Sequence, residues 1–248
     1  MTTGPVIDVR DLRIGFDDRV LLDSVSFQVN PGEVFIILGG SGCGKSTLLR
    51  HLIHLEQPIS GTVQLAAVAP GEAKPGERVY GVMFQSGALL GSMTVGENVA
   101  LALETWTKLP PDAVSAMVRA KLRLVGLDGA EDKLPSELSG GMKKRAAIAR
   151  AMILEPSLLF LDEPSAGLDP ITAAELDSLI LKLHDSLGTT VVMVTHDLDS
   201  IARVGSRCIM LDKETRGIIA EGNPRELAKS SEDPRVQAFF GRTSMEAA

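Results

Sequence analysis

The chain has 248 residues, 44% of them hydrophobic, with 32 acidic against 25 basic side chains and a formal net charge of −7. This is the balance of an ordinary globular protein, and it excludes the overall basic field that draws nucleic acid or anionic lipid. The length suits one large domain or a core with an inserted lobe.

Cys43 and Cys208 are the two cysteines. They make neither a disulfide framework nor a metal-ligand cluster, so reduced thiols are expected. The opening Met1 to Pro5 lacks the basic-then-apolar pattern of a leader peptide. The longest apolar runs fall far short of the ~20 residues a membrane span needs, so a membrane role has to come through a partner.

In chain order, Val6 to Ile14 and Val25 to Val29 alternate apolar and polar residues as strands do, with a turn at Pro31 and Gly32. Val34 to Leu38 is an uninterrupted apolar run, the mark of a strand buried on both faces. A glycine-rich loop follows, then a helix over Ser46 to Leu55. Gly61 to Leu65 and Val79 to Met83 read as strands, with a surface loop over Ala69 to Glu77 between them.

Helical patterns take over at Val95 to Trp106, Pro111 to Val125 and Gly140 to Leu154. Strands return at Leu158 to Leu161, Thr190 to Thr195, Cys208 to Asp212 and Gly217 to Ala220. Asn223 before Pro224 and Asp233 before Pro234 each look like a helix cap with proline at the first helical position. The expected fold is α/β.

Gly39, Gly40, Ser41, Gly42, Cys43, Gly44, Lys45 and Ser46 fit G-x-x-x-x-G-K-[ST], with an apolar strand before and a helix after. Glycines let successive N–H groups turn inward around an anion, and the helix start adds partial positive charge. Lys45 can reach the β- and γ-phosphates, the Ser46 hydroxyl can ligate Mg²⁺, and Thr47 continues the cradle. Cys43 in the loop admits two readings, a redox switch or a small tolerated side chain, and the second is preferred. His51 and His54 lie three apart, but with no carboxylate or cysteine beside them packing is preferred to metal binding.

Leu158 to Leu161 ends in Asp162 and Glu163. Paired carboxylates at the end of a core strand are costly unless they do electrostatic work. Asp162 can hold Mg²⁺, directly or through water, and Glu163 can polarise an attacking water.

Leu138, Ser139, Gly140, Gly141 and Met142 resemble the LSGGQ signature of ABC ATPases, with Met142 where glutamine is usual. The resemblance covers nearly the whole chain. Gln85 matches the Q-loop glutamine that senses Mg²⁺ and water, Ser165 to Asp169 the D-loop, and His196 the switch histidine. Phe16 sits at about the position of the aromatic that stacks on adenine.

The resemblance implies a P-loop NTPase fold: a RecA-like core with an antiparallel β subdomain and an inserted α-helical subdomain. Residues 1–86 and 156–222 would form the core, 87–155 the helical subdomain and 223–248 a C-terminal helical tail. It also implies head-to-tail pairs that sandwich ATP and Mg²⁺ between the phosphate loop of one copy and Ser139, Gly140 and Gly141 of the other. Asp169 would join the nucleotide-binding set, and a single copy would hydrolyse poorly.

Phe84 to Leu90, Pro135 to Met142, Asp169 to Thr172 and the tail Glu232 to Phe240 are similar to ATPases of Mce-associated lipid transporters, the Mla system among them. That likeness implies phospholipid transport between bacterial membranes from the cytoplasmic face of the inner membrane. The implied partners are a second copy, a multi-span permease of the MlaE type, an Mce-domain lipid-binding protein and a small STAS-domain protein of the MlaB type, with no nucleic acid. Two departures stand out: Val68 to Val79 is shorter than usual, and the tail beyond Phe240 is brief. An importer of amino acids or other small solutes and a non-transport ABC ATPase are the alternatives. A P-loop kinase would have no use for the signature or the D-loop.

Overall fold

The computed structural model describes residues 4–16, 19–67 and 79–241. The chain divides into two compact units, Met1–Ala66 with Thr190–Ala248, and Ala67–Thr189. The loop expected over Ala69 to Glu77, most of the short segment Val68 to Val79 and the tail from residue 242 lie outside the described residues.

In the first unit, β1 (Ile7–Phe16) is the centre of an antiparallel sheet between β2 (Arg19–Val29) and β4 (Ser60–Leu65). Ile7, Val9, Leu12 and Ile14 of β1 are buried. The odd-to-even change along that series is a bulge. The register shifts between Val9 and Leu12, Asp11 adopts a left-handed φ of 46°, and its amide donates to Ser26 Oγ at 2.8 Å. β2 starts at Arg19 rather than Val25, because Phe16 pairs with Arg19 and Gly15 with Val20 in an extended hairpin.

β3 (Val34–Gly39) lies between β7 (Thr190–Val194) and β8 (Arg207–Asp212), parallel to both, and β9 (Gly217–Gly222) runs antiparallel to β8. Every residue of β3 is buried, which is why it reads as a continuous apolar run. Phe27 of β2 stacks on Phe35 of β3 with ring centroids 5.6 Å apart, so the antiparallel sheet is packed onto the parallel strands. The Arg207 guanidinium lies 4.8 Å from the Phe35 ring centroid and pairs with Glu33 at 2.7 Å and with Glu221.

α1 (Lys45–Leu52) leaves β3 through the glycine loop. It stops before the expected Leu55: His54 turns left-handed at φ 58°, and Leu55 is exposed. α6 (Leu198–Val204), α7 (Pro224–Ser230) and α8 (Pro234–Gly241) complete the unit. Asn223 caps α7, and Asp233 accepts from the Arg235 amide at 2.8 Å at the start of α8, as the proline positions lead one to expect. Arg235 also reaches Asp212 at 3.2 Å, tying α8 to the end of β8. Its hydrogen bonds to Asp233 bring that carboxyl down to about 2.

The second unit holds β5 (Tyr80–Met83) parallel to β6 (Leu158–Asp162), with α2 (Val95–Trp106), α3 (Pro111–Leu124), α4 (Gly140–Ala151) and α5 (Pro170–Leu187). Thr94 and Glu97 form a capping box at α2. One turn into that helix Asn98 is fully buried yet well bonded. Its carbonyl accepts from Leu90 N at 2.7 Å, and its amide donates to the carbonyls of Leu90, Met93 and Thr94 at 3.0, 3.1 and 2.9 Å. α4 ends at Ala151, three residues short of the expected Leu154. α5 is a helix beyond those expected, opened by Asp169 as its N-cap and Pro170 at its first position. No helix among the described residues is long and apolar enough to cross a membrane.

Candidate functional site

In the first unit the glycine loop runs directly from the buried end of β3 into α1. Gly39 has φ 145°, and a methyl group there would meet the Leu211 carbonyl oxygen and lie 2.8 Å from Cys43 Sγ, so only glycine fits. Gly40, Ser41 and Gly42 are exposed, while Cys43 and Thr47 are buried. α1 starts from Gly44 with no side-chain cap and no acidic residue in its first turn. Its first N–H groups and dipole therefore favour an anion.

The Lys45 ammonium donates to the carbonyls of Gly39 at 2.9 Å and Gly40 at 3.1 Å, which arches the side chain over the loop. Ser46 follows in the first turn, half-buried. Burial pushes the Cys43 thiol up, outweighing the opposing Lys45 charge. This favours the small-side-chain reading over a redox switch. His51 is buried with Nδ1 2.8 Å from the Thr47 carbonyl oxygen, a packing histidine. Phe16 ends β1 with 48% of its surface exposed, free of the core its neighbours build. His196 follows β7 and is exposed; beside it Asp197 caps α6.

In the second unit, β6 delivers Asp162 and Glu163, both buried. Glu163 is held at φ 48°, a left-handed conformation that costs a non-glycine residue about 1–2 kcal/mol. Its carbonyl accepts from Ala166 N at 3.2 Å and from the Lys144 ammonium at 3.2 Å. Lys144, on α4, is buried and also donates to the Gln85 carbonyl at 2.5 Å. Burial lowers its pKa, against the charges of Glu163 and Asp162. The Gln85 side chain itself belongs to an exposed residue.

Ser139 is the N-cap of α4, its Oγ accepting from Met142 N at 3.3 Å. Ser139 and Gly140 are exposed, whereas Gly141 is buried against α5. Asp169 caps α5: one carboxylate oxygen accepts from Ile171 N and Thr172 N at 3.1 and 3.0 Å, the other from Thr172 Oγ1 at 2.6 Å. Those bonds, the Thr172 hydroxyl first, hold its pKa below the ordinary carboxylate value. In this arrangement its carboxylate shapes the start of α5.

Within its own unit, each group of expected residues is brought together: Gly39 to Thr47 in one loop and helix start, and Gln85, Asp162 and Glu163 around the first turns of α4. The sequence reading missed Lys144, Arg150, Asn98 and Thr172. Nothing local marks the first two, since a charged residue on a helix reads as solvated. Asn98 could have been suspected as a polar residue on the apolar face of α2.

In the first unit Ser46 offers a hydroxyl oxygen; in the second, Asp162 offers carboxylate oxygens and Gln85 an amide carbonyl. That suits a hard cation such as Mg²⁺. Among the described residues no cluster of His, Cys, Asp and Glu forms a protein-only metal cage.

Residues 22–166 match the ABC transporter family profile. The intermembrane phospholipid transport system ATP-binding protein MlaF of Escherichia coli K12 is 39% identical over 241 residues, covering 95% of this chain and 88% of that protein. The probable ribonucleotide transport ATP-binding protein mkl of Mycobacterium leprae is 37% identical over 245 residues, covering 97% and 70%. Among solved structures, cbiO1 from Clostridium perfringens, part of the ABC transporter complex cbiONQ, superposes with a TM-score of 0.79 at 30% identity and covers 98% of both chains. The cassette MJ0796, in a dimeric post-hydrolysis state bound to ADP and Pi, gives 0.76 at 28% identity, covering 88% of this chain and 98% of that one. Profile, near-full-length relatives and fold agree: the chain belongs to the ABC transporter family, as an ATPase domain.

Proposed function

We propose that this chain powers phospholipid transport between bacterial membranes, working as a head-to-tail pair on the cytoplasmic face of the inner membrane and bound there through a permease. The observation that carries the reading is the 39% identity to the phospholipid transport protein MlaF across 95% of this chain. The MJ0796 cassette, whose solved state is dimeric, supports the pairing. An Mce-domain lipid-binding protein and a small STAS-domain protein complete the proposed assembly. Residues 87–155 are proposed as the helical subdomain that meets the permease, and 223–248 as the tail.

In this reading Gly39 to Thr47 cradles the phosphates, Lys45 supplies a point charge, and Phe16 stacks on the adenine. Ser46, Asp162 and Gln85 would hold Mg²⁺, which would neutralise charge on the phosphates when bound. Glu163 takes a proton from the attacking water, and His196 stabilises charge developing on the γ-phosphate. Ser139, Gly140 and Gly141 act on the nucleotide of the other copy, with Asp169 fixing the loop that leads into α5.

In the assembled complex, Glu163→Gln is expected to keep ATP affinity and lose most turnover, whereas Lys45→Ala weakens binding by about tenfold or more, as a lost charge-assisted contact should. Hydrolysis at the wild-type rate by Glu163→Gln would remove the base assignment. A second cargo reading, ribonucleotide, is favoured by the name of the mycobacterial relative at 37% identity. Purification of the complex from membranes separates the two. Phospholipid and an Mce-domain protein should co-purify, and their absence beside a bound nucleotide cargo would favour the second.

A further inference from the structure

We propose that Lys144 is a positioning residue for hydrolysis, one ammonium that locks the signature helix, the Gln85 loop and the Glu163 backbone into a single rigid body. The proposal rests on the reading of Glu163 as the base. Lys144 is buried, and its two acceptors, the carbonyls of Gln85 and Glu163, lie 59 and 19 residues away in sequence. It therefore ties α4 to the ends of β5 and β6, two strands that pair up to Met83 and Leu161 but whose following residues, Gln85 and Glu163, lie beyond that pairing.

The contact with Glu163 bears on geometry. A residue at φ 48° is in a sparsely populated conformation that persists only where its surroundings enforce it. A charged donor on its carbonyl fixes the following peptide plane, and with it the direction in which the Glu163 side chain leaves the backbone. The Gln85 end of the same ammonium fixes the loop from the other side. The rest of α4 repeats the grip. Arg150 donates to the Gly87 and Ala88 carbonyls at 2.8 and 2.6 Å, and Ala88 is itself left-handed at φ 48°. Arg145 reaches away from them, to the Val125 carbonyl at 3.1 Å and Glu175 at 3.1 Å. A shift of α4 on engaging a nucleotide through Ser139 would thus be carried by Lys144 to Gln85 and Glu163 together.

The test compares Lys144→Met, Lys144→Gln and Glu163→Gln in the full chain assembled with its permease. It measures kcat and KM for ATP, equilibrium binding of ATP and the melting temperature. Lys144→Met should lower kcat about tenfold or more while ATP affinity stays within about twofold, because misplacing a catalytic group affects the transition state and leaves the phosphate loop intact. Lys144→Gln, a neutral donor on a shorter stem that reaches one carbonyl, should show the same split to a smaller degree; it also serves if the methionine variant does not fold. In the Glu163→Gln background Lys144→Met should cost nothing further. Wild-type kcat in folded Lys144 variants with a lowered melting temperature would mean that the lysine only satisfies buried carbonyls, and would overturn the proposal. So would independent, multiplying losses in the double variant. Wild-type turnover by Glu163→Gln removes the base reading itself; an inactive Glu163→Gln beside fully active Lys144 variants removes only the positioning role.

Discussion

Gly141 and Thr172 are in near contact, so close that a methyl group added to Gly141 would sit 2.6 Å from Thr172 Cγ2. The start of the signature helix is seated on α5 at this point. Gly141→Ala should therefore force the two helices apart and destabilise the chain by about 1–3 kcal/mol, the usual cost of overpacking. Thr172→Ser removes the offending methyl and keeps the hydroxyl on Asp169. The double variant should recover most of the loss in a thermal melt; an unrecovered double variant would show that the crowding lies elsewhere.

Asp169 makes the low-pH side of stability partly a property of α5. Its folded pKa lies below the ordinary carboxylate value, chiefly through the Thr172 hydroxyl. A depressed folded pKa means that its stabilisation is present above the unfolded value and is lost as pH falls through the folded one. Asp169→Asn keeps a good helix cap but cannot titrate. The gap in melting temperature between wild type and Asp169→Asn should be widest near neutrality and close below about pH 4. A gap unchanged with pH would contradict this.

Cys43 should behave as an inert thiol despite its place at a helix start. It is buried and its pKa is raised, so at pH 8 it carries less thiolate than a free cysteine. Cys208 is buried as well, with burial pushing it up to about 12. Iodoacetamide should label the native chain at least about tenfold more slowly than the denatured chain. Rapid native labelling at Cys43 would revive the redox reading.

The phosphate loop was legible because all its determinants are local: the apolar run of β3, the glycines, and Lys45 and Ser46 in a helix whose start no side chain caps. The signature was legible for the same reason, Ser139 capping its own helix. Elements decided at a distance were not. β2 extends back to Arg19 because β1 offers it partners, although Arg19 to Ser24 shows little alternation. α5 carries a helical stripe at Ala173, Leu176, Leu179, Ile180 and Leu183, opened by Asp169 and Pro170, but buried Asp177 interrupts its apolar face. Lys144 had no local signal, since its partners come from two other segments.

Asn98 gives the stretch after Gln85 a different kind of constraint. By bonding Leu90 in both directions and Met93 and Thr94 besides, it closes residues 90–98 into a ring of fixed perimeter. Such a ring can exchange its outward side chains freely, but one inserted or deleted residue would leave several of these bonds without an address. What this stretch must keep through descent is its spacing rather than its spelling.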